Sequence, residues 1–310
     1  MKICLAGEGA MGVNHMKSLK TVKDVEVVSV AGGIQDDVEK FAKEWNVPHF
    51  SLDLEECLDR PEIEAVILAT PTNLHTEHAC LALSKGKHVL LEIPMGLTLA
   101  DSERVAEAAK SSGKTCMIAH TRRFSPPHSS LRRRIQEGSF HLHHFVVETY
   151  FFRRTNLNMF GKPRTWVDCL LWHHACHSVD LIQWILGDPD MEVWGQKGPD
   201  HPELGIPMDM SIGMRSKKGP LVTMALSFNN KGPFGGFYRY IGEEETYKIF
   251  RDEMTDSEGK DVSPGGAAFE IQDQEFFNAL REGRQPESSV ESCLPSMVLL
   301  DRIGKSMGMS

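Results

Sequence analysis

Gly7-Glu8-Gly9-Ala10-Met11-Gly12 constrains the fold more than any other stretch, because it lies directly between an apolar run at residues 2–6 and a helical pattern at 13–19. Glycines at the first, third and sixth positions after a short buried strand permit a tight turn. They also let a pyrophosphate approach the backbone and let the helix pack close on the strand. The helix N-terminus then offers unpaired N–H groups to phosphate oxygens. Glycine turns are common between strands and helices, but in this context Gly7, Gly9, Ala10, Met11 and Gly12 are expected to cradle a dinucleotide.

Strand and helix continue to alternate. Strands are expected at 25–31, 65–69, 88–92 and 116–119, with helices at 38–45, 54–58, 77–85 and 99–110. That pattern predicts an α/β Rossmann domain over residues 1–120, a doubly wound parallel sheet with right-handed crossovers. The strand at 65–69 delivers Thr70-Pro71-Thr72 and then His75 at its C-terminal end, where open parallel sheets bind ligands. Pro71 could simply shape a turn and His75 cap the next helix; contact with the cofactor is the expectation for both, as for Glu92-Ile93-Pro94. The second strand runs into Gly32 and Gly33 without the acid that usually holds the ribose of NAD. Its absence favours NADP and leaves NAD open, although no Lys or Arg is at hand to clamp a 2′-phosphate. Asp36 and Asp37 are expected to serve the next helix as N-terminal charges.

After residue 120 the pattern changes. A helix at 127–137 and a strand at 144–152 precede a loop at 155–163, and strands follow at 208–214, 221–228, 237–241 and 247–250. Strands without intervening helices predict an α+β domain, residues 121–310, with a large open, mostly antiparallel sheet. Helices at 269–282 and 293–305 close the chain and could pack back on the first domain. One sheet face should carry helices and the other a second subunit, giving a homodimer or homotetramer. Arg132, Arg133 and Arg134 are expected on a solvated helix face.

Residues 164–186 place His173, His174, His177 and Asp180 within two expected helical turns, at spacings of three and four, so that they share a face or its border. Imidazoles on a buried scaffold suit proton transfer near neutral pH; satisfied core or surface histidines are the plainer alternative. A zinc site is not expected, because His-x-x-x-His here lacks a third ligand and lacks Glu after the first His. The pairs Arg122-Arg123 and Arg153-Arg154 abut strand ends and could grip carboxylates bidentately, or form surface ion pairs.

A net charge of −9 argues against nucleic acid and acidic membrane surfaces as partners. The seven cysteines are odd in number and lack CxxC spacing, so they are expected to be reduced and mostly buried. No apolar run approaches membrane length, and a cytoplasmic location is expected.

The glycine turn, Thr70-Pro71-Thr72, Glu92-Ile93-Pro94, Thr121-Arg122-Arg123-Phe124 and the histidine stretch, in this order, resemble the glucose-fructose oxidoreductase, inositol dehydrogenase and rhizopine catabolism (Gfo/Idh/MocA) family. That family usually carries Glu-Lys-Pro where Ile93 stands, and Asp where His173 stands. The resemblance implies an NAD(P)-dependent dehydrogenase acting on a CH–OH group. Leu171-Trp172-His173-His174-Ala175 and residues 149–154, 201–205, 208–211 and 226–230 look like a branch with Ile in place of the lysine, active in protocatechuate catabolism. That branch oxidises the cyclic hemiacetal of a dicarboxylate semialdehyde with NADP. The likeness implies His177 as base, His173 or His174 as proton relay and Asp180 orienting an imidazole. It also implies Arg122, Arg123, Arg153 and Arg154 at the carboxylates, with Asn229 and Asn230 in secondary contacts. The rivals are a sugar or polyol dehydrogenase and a non-catalytic NADP-binding regulator.

Overall fold

β1 (Lys2–Ala6) is buried over Ile3–Ala6 and sits inside a parallel sheet, which is why it reads as an unbroken apolar run. Around it stand α1 (Ala10–Ser18), β2 (Glu26–Ala31), α2 (Gln35–Trp45), β3 (His49–Ser51), α3 (Leu54–Leu58), β4 (Ala65–Leu68), α4 (His75–Ser84), β5 (His88–Leu91), α5 (Leu99–Ser112) and β6 (Cys116–Ile118). The strand order is β3-β2-β1-β4-β5-β6, so the chain reverses direction across the sheet between β1 and β4, beside the glycine turn. β3 went unanticipated: three residues, none buried, leave no periodicity to read.

The computed structural model describes residues 1–157, 161–164 and 166–309; part of the expected loop at 155–163 and position 165 of the histidine stretch lie outside them. Two compact units emerge, Met1–His120 with Phe269–Leu294, and Thr121–Ala268 with Pro295–Ser310. In the first, the free edge of β6 is covered by the returning chain: Ile118 N–H donates to the Ser288 carbonyl at 2.8 Å, and Ser288 Oγ donates to the Ile118 carbonyl at 2.6 Å.

The second unit begins with α6 (Pro126–Gln136), β7 (Leu142–Tyr150) and α7 (Cys176–Leu186). It continues through β8 (Glu192–Lys197), β9 (Asp209–Arg215), β10 (Leu221–Ser227), β11 (Gly235–Gly242), β12 (Thr246–Phe250) and β13 (Glu253–Thr255). Its sheet runs β13-β12-β11-β7-β10-β9-β8 and is antiparallel throughout except where β7 meets β10. β7 and β10 alternate, with Phe145, Val147, Val222, Met224 and Leu226 buried on one face. Helices cover that face: His128 Nδ1 of α6 bonds the Tyr240 hydroxyl at 2.7 Å, and Ser178 Oγ of α7 lies 3.2 Å from Thr149 Oγ1. The opposite face exposes Trp194 and Leu221, at 53% and 45%. β8 and β13 were not anticipated because one is a polar edge strand and the other is three residues long.

α8 (Ala268–Glu282) and α9 (Val290–Ser306) end the chain, and the division between the units falls inside α9. The expected solvated arginine face on α6 is corrected for two of its three residues. Arg132 donates to the Trp184 carbonyl and lies over the Trp184 ring, while Arg134 donates to the Tyr247 hydroxyl. Guanidinium planes stack on aromatic rings and bury their stems, so a run of arginines need not be solvated.

Candidate active site

The glycine turn fits a dinucleotide by its own geometry. A Cβ on Gly7 would stand 2.2 Å from the Ala69 carbonyl oxygen and one on Gly12 2.0 Å from the Gly7 oxygen, so close packing forbids side chains at both. A Cβ on Gly9 would meet nothing within 4 Å, and that open side is where a pyrophosphate could approach. Gly9 caps α1 without a side-chain hydrogen bond, and the first turn carries no acid. The N–H groups of Ala10, Met11 and Gly12 open the helix with no acid in its first turn, as an anion-binding N-terminus requires.

The end of β2 holds a feature that Gly32 and Gly33 do not reveal in sequence. An acid is present there, supplied from the glycine turn: Glu8 Oε1 accepts from Gly33 N–H at 2.9 Å and from Ile34 N–H at 3.3 Å. Asp36 and Asp37 do lie in the first turn of α2.

The turns after β4 and β5 are tied to each other. His75 is a buried member of α4 rather than its cap, with Nε2 on the Thr70 carbonyl and Nδ1 on the Pro94 carbonyl, both at 2.8 Å. Burial pushes its pKa down. Thr70-Pro71-Thr72 and Glu92-Ile93-Pro94 are thereby held as one rim. Beneath the rim, His15 Nε2 lies 3.1 Å from Glu92 Oε1 and Nδ1 lies 3.0 Å from Asp273 Oδ2. Burial alone would depress His15, but the two carboxylates outweigh it and hold its pKa at about 10. It is an imidazolium joining α1, the end of β5 and α8. Neither His15 nor Asp273 was singled out in the sequence.

In the second unit the histidine stretch is not one regular helix. Leu170–Ala175 form a π-helical turn, and α-helix begins only at Cys176. Such wide turns occur frequently at functional sites. Here His173 and His174 fall in the π turn, with ring centroids 4.9 Å apart, and His177 falls in the first turn of α7. The α-helical spacing expected for His173 and His177 is therefore altered between them.

Asp168 organises the surroundings, and sequence reasoning passed over it. It is 1% exposed, and Oδ2 accepts from Arg164 Nη1 at 2.7 Å and from Arg153 Nη2. His173 Nε2 lies 3.8 Å from Oδ1 and His174 Nε2 3.7 Å from Oδ2. Burial alone would raise the Asp168 pKa, but His174, His173 and Arg153 hold it well below the usual carboxylate range. Burial lowers His174, which is partly enclosed by Phe151 and Phe228 at 4.8 and 4.9 Å. Among the described residues, Arg153 Nε, His174 Nε2 and Asp168 Oδ1 are buried with no hydrogen-bond partner. Buried polar atoms left unsatisfied in one cluster mark a place for a ligand or ordered water.

The ligating atoms of Asp168, His173 and His174 lie within 4.8 Å of one another, close enough for a cation. Two guanidiniums already sit on Asp168 Oδ2, however, and would repel a dication there. Two guanidiniums against one carboxylate leave the cluster net positive.

The other expected residues fall elsewhere. Arg123 is buried and forms a bidentate pair with Asp180, at 2.7 and 2.6 Å, and Ser296 Oγ donates to Asp180 Oδ1 at 2.9 Å. Its fork thus grips a carboxylate of the chain, and Asp180 is an arginine partner. Arg122 lies over the Tyr238 ring at 5.7 Å. Arg154 is exposed over Phe152 and donates to the Arg153 carbonyl. Asn229 donates to Asp209 at the start of β9, and Asn230 donates to the Pro233 carbonyl within its own loop.

Comparison with known proteins places these features. Residues 1–120 match the model of the oxidoreductase family with an NAD-binding Rossmann fold, and residues 126–266 match that of bacterial oxidoreductases, C-terminal. The chain is 43% identical over 95% of both lengths to 4-carboxy-2-hydroxymuconate-6-semialdehyde dehydrogenase of Sphingobium sp.. It is 33% identical to scyllo-inositol 2-dehydrogenase (NAD(+)) of Bacillus subtilis, over 60% of this chain and 54% of that one. The solved structure of levoglucosan dehydrogenase with NADH and levoglucosan shares the fold, with a TM-score of 0.88, 20% identity and coverage of 99% and 97%.

Proposed function

The chain belongs to the Gfo/Idh/MocA family of NAD(P)-dependent oxidoreductases, and from that premise we propose that it oxidises the cyclic hemiacetal of 4-carboxy-2-hydroxymuconate 6-semialdehyde to 2-pyrone-4,6-dicarboxylate. The observation that carries this reading is the Asp168 cluster. A dicarboxylate needs cationic donors, and Asp168 draws Arg153 and Arg164 together with His173 and His174 of the π turn. A sugar or inositol offers hydroxyls alone, for which two guanidiniums are a poor match.

Held by the glycine turn, NAD(P) would supply the acceptor for the hydride that leaves the hemiacetal carbon. The chain must hold the substrate and take the hydroxyl proton, so that the developing charge becomes the lactone carbonyl. Ile93 has no proton to exchange, which moves that task to the histidines. His177 is the base in this reading, and His173 or His174 passes the proton on. His174, depressed by burial, is neutral near pH 7 and able to accept it. Arg153 and Arg164 meet a substrate carboxylate, and Asp168 positions both. Arg122 and Arg154 remain candidates for the second carboxylate. Gly7, Gly9, Ala10, Met11 and Gly12 hold the pyrophosphate, and the Thr70–Thr72 and Glu92–Pro94 rim the nicotinamide side.

The sheet face bearing Trp194 and Leu221 pairs with a second copy in this proposal, as a homodimer or homotetramer. No helix among the described residues is long and apolar enough to cross a membrane. All seven cysteines are free thiols, which suits the cytoplasm.

Asp168→Asn tests the carboxylate cluster. Without its charge Arg153 and Arg164 lose their common anchor, and KM for the hemiacetal is expected to rise about 10- to 100-fold. Titration with 2-pyrone-4,6-dicarboxylate should show the same loss of affinity, and nucleotide Kd should stay put. An unchanged KM in a folded variant would detach this cluster from the substrate.

A further inference from the structure

We propose that Glu8 selects the dinucleotide, accepting from the adenosine ribose diol and turning away a 2′-phosphate, so that this protein prefers NAD to NADP. The inference deepens the nucleotide-binding part of the proposed function and is independent of the substrate.

In dinucleotide-binding folds the ribose is read by an acid borne at the end of the second strand. β2 has none, since it runs from Ala31 into Gly32, Gly33 and Ile34. The carboxylate arrives instead from inside the glycine turn. β1 and β2 pair in parallel with Ala6 opposite Ala31, and Gly7 N–H donates to the Ala31 carbonyl at 2.8 Å. This pins the turn against the end of β2, and Glu8 Oε1 then accepts from the N–H groups of Gly33 and Ile34. The glycines make room for it: a Cβ on Gly32 would stand 3.1 Å from Glu8 Cδ and 2.5 Å from Val38 Cβ. Oε2 takes no hydrogen bond among the described residues and is the acceptor left for a ribose hydroxyl.

The same arrangement opposes a 2′-phosphate. Gly33 and Ile34 could have offered two backbone N–H donors to a phosphate, and the Glu8 carboxylate already occupies both. Asp36 and Asp37 add negative charge in the first turn of α2, and residues 32–37 contain neither Lys nor Arg. Lys43, further along α2, is paired with Glu39 at 2.7 Å. A phosphate carrying nearly two negative charges would meet carboxylates and no unpaired donor, where the ribose diol of NAD can donate to Oε2.

Direct binding tests this without turnover. NADH and NADPH are titrated into the purified full chain by fluorescence, at low and high ionic strength, for the wild type, Glu8→Gln and Glu8→Asp. The wild type is expected to bind NADH at least about tenfold more tightly than NADPH, with the gap narrowing as salt screens the charges. Glu8→Gln keeps an acceptor for the two backbone N–H groups but no charge, so its gap should close to within about threefold, mainly through tighter NADPH binding. Glu8→Asp should retain the order NADH before NADPH. Tighter NADPH binding by the wild type, or a salt-independent gap, would overturn the assignment, as would an unchanged ratio in folded Glu8→Gln. The salt series needs no variant, so a poorly folding substitution does not remove the test. Failure of both nucleotides to bind would overturn the dehydrogenase reading itself, whereas equal binding of the two would overturn only the role of Glu8.

Discussion

His177→Asn is expected to lower kcat by about 10²–10⁴-fold while nucleotide Kd changes by less than about twofold. The chemical step removes a hydroxyl proton as hydride leaves, and without a base the departing hydride would leave that proton on a cationic oxygen. Asparagine preserves much of the shape and one polar end of the imidazole but exchanges no proton near neutral pH. Substitution of His173 or His174 by Asn should cost less in kcat and more in KM, because both rings belong to the cluster around Asp168. Single-turnover rates with a saturating cofactor separate the two patterns. Unchanged turnover in His177→Asn would remove it from the mechanism and direct attention to the π turn.

His15→Leu carries the second large effect, in stability rather than catalysis. Removing the imidazolium leaves Glu92 and Asp273, 7% and 0% exposed, facing an apolar side chain. Breaking a buried charge cluster by deleting one partner costs about 3–5 kcal/mol, enough to lower the first unit's melting temperature by roughly 10 °C. The pH dependence gives the sign. The folded-state pKa of about 10 lies above the reference value of 6.5, so the stabilisation is complete below about pH 6.5 and is lost as pH rises through about 10. The difference in melting temperature between wild type and variant should therefore shrink between pH 7 and pH 10. A constant difference would mean that His15 contributes packing rather than charge.

The residues that were legible in the sequence are those whose role is local. Gly7, Gly9 and Gly12 announce themselves because the tight turn sets their spacing within six residues, even though Gly7 packs against the distant Ala69. The buried strands of the first sheet are legible because burial on both faces forces apolar runs. Glu8 was hidden for the opposite reason: its partners are 25 and 26 residues away, and only the pairing of β1 with β2 brings them together. Asp168 was hidden because an isolated acid does not reveal that Arg153 will return to it from the end of β7. The pairing of Arg123 with Asp180 was hidden because the two are 57 residues apart. The histidines were noticed through their spacing, yet that spacing assumed α-helix throughout, and the π turn rearranges it.

The most direct measurement of the central claim mixes the purified protein with NAD or NADP and freshly generated 4-carboxy-2-hydroxymuconate 6-semialdehyde, following absorbance of the reduced nicotinamide and identifying the product. The account expects rapid reduction with stoichiometric 2-pyrone-4,6-dicarboxylate, and little or none with inositols or glucose. Reduction by those polyols but not by the hemiacetal would contradict it, and so would nucleotide binding with no turnover of either.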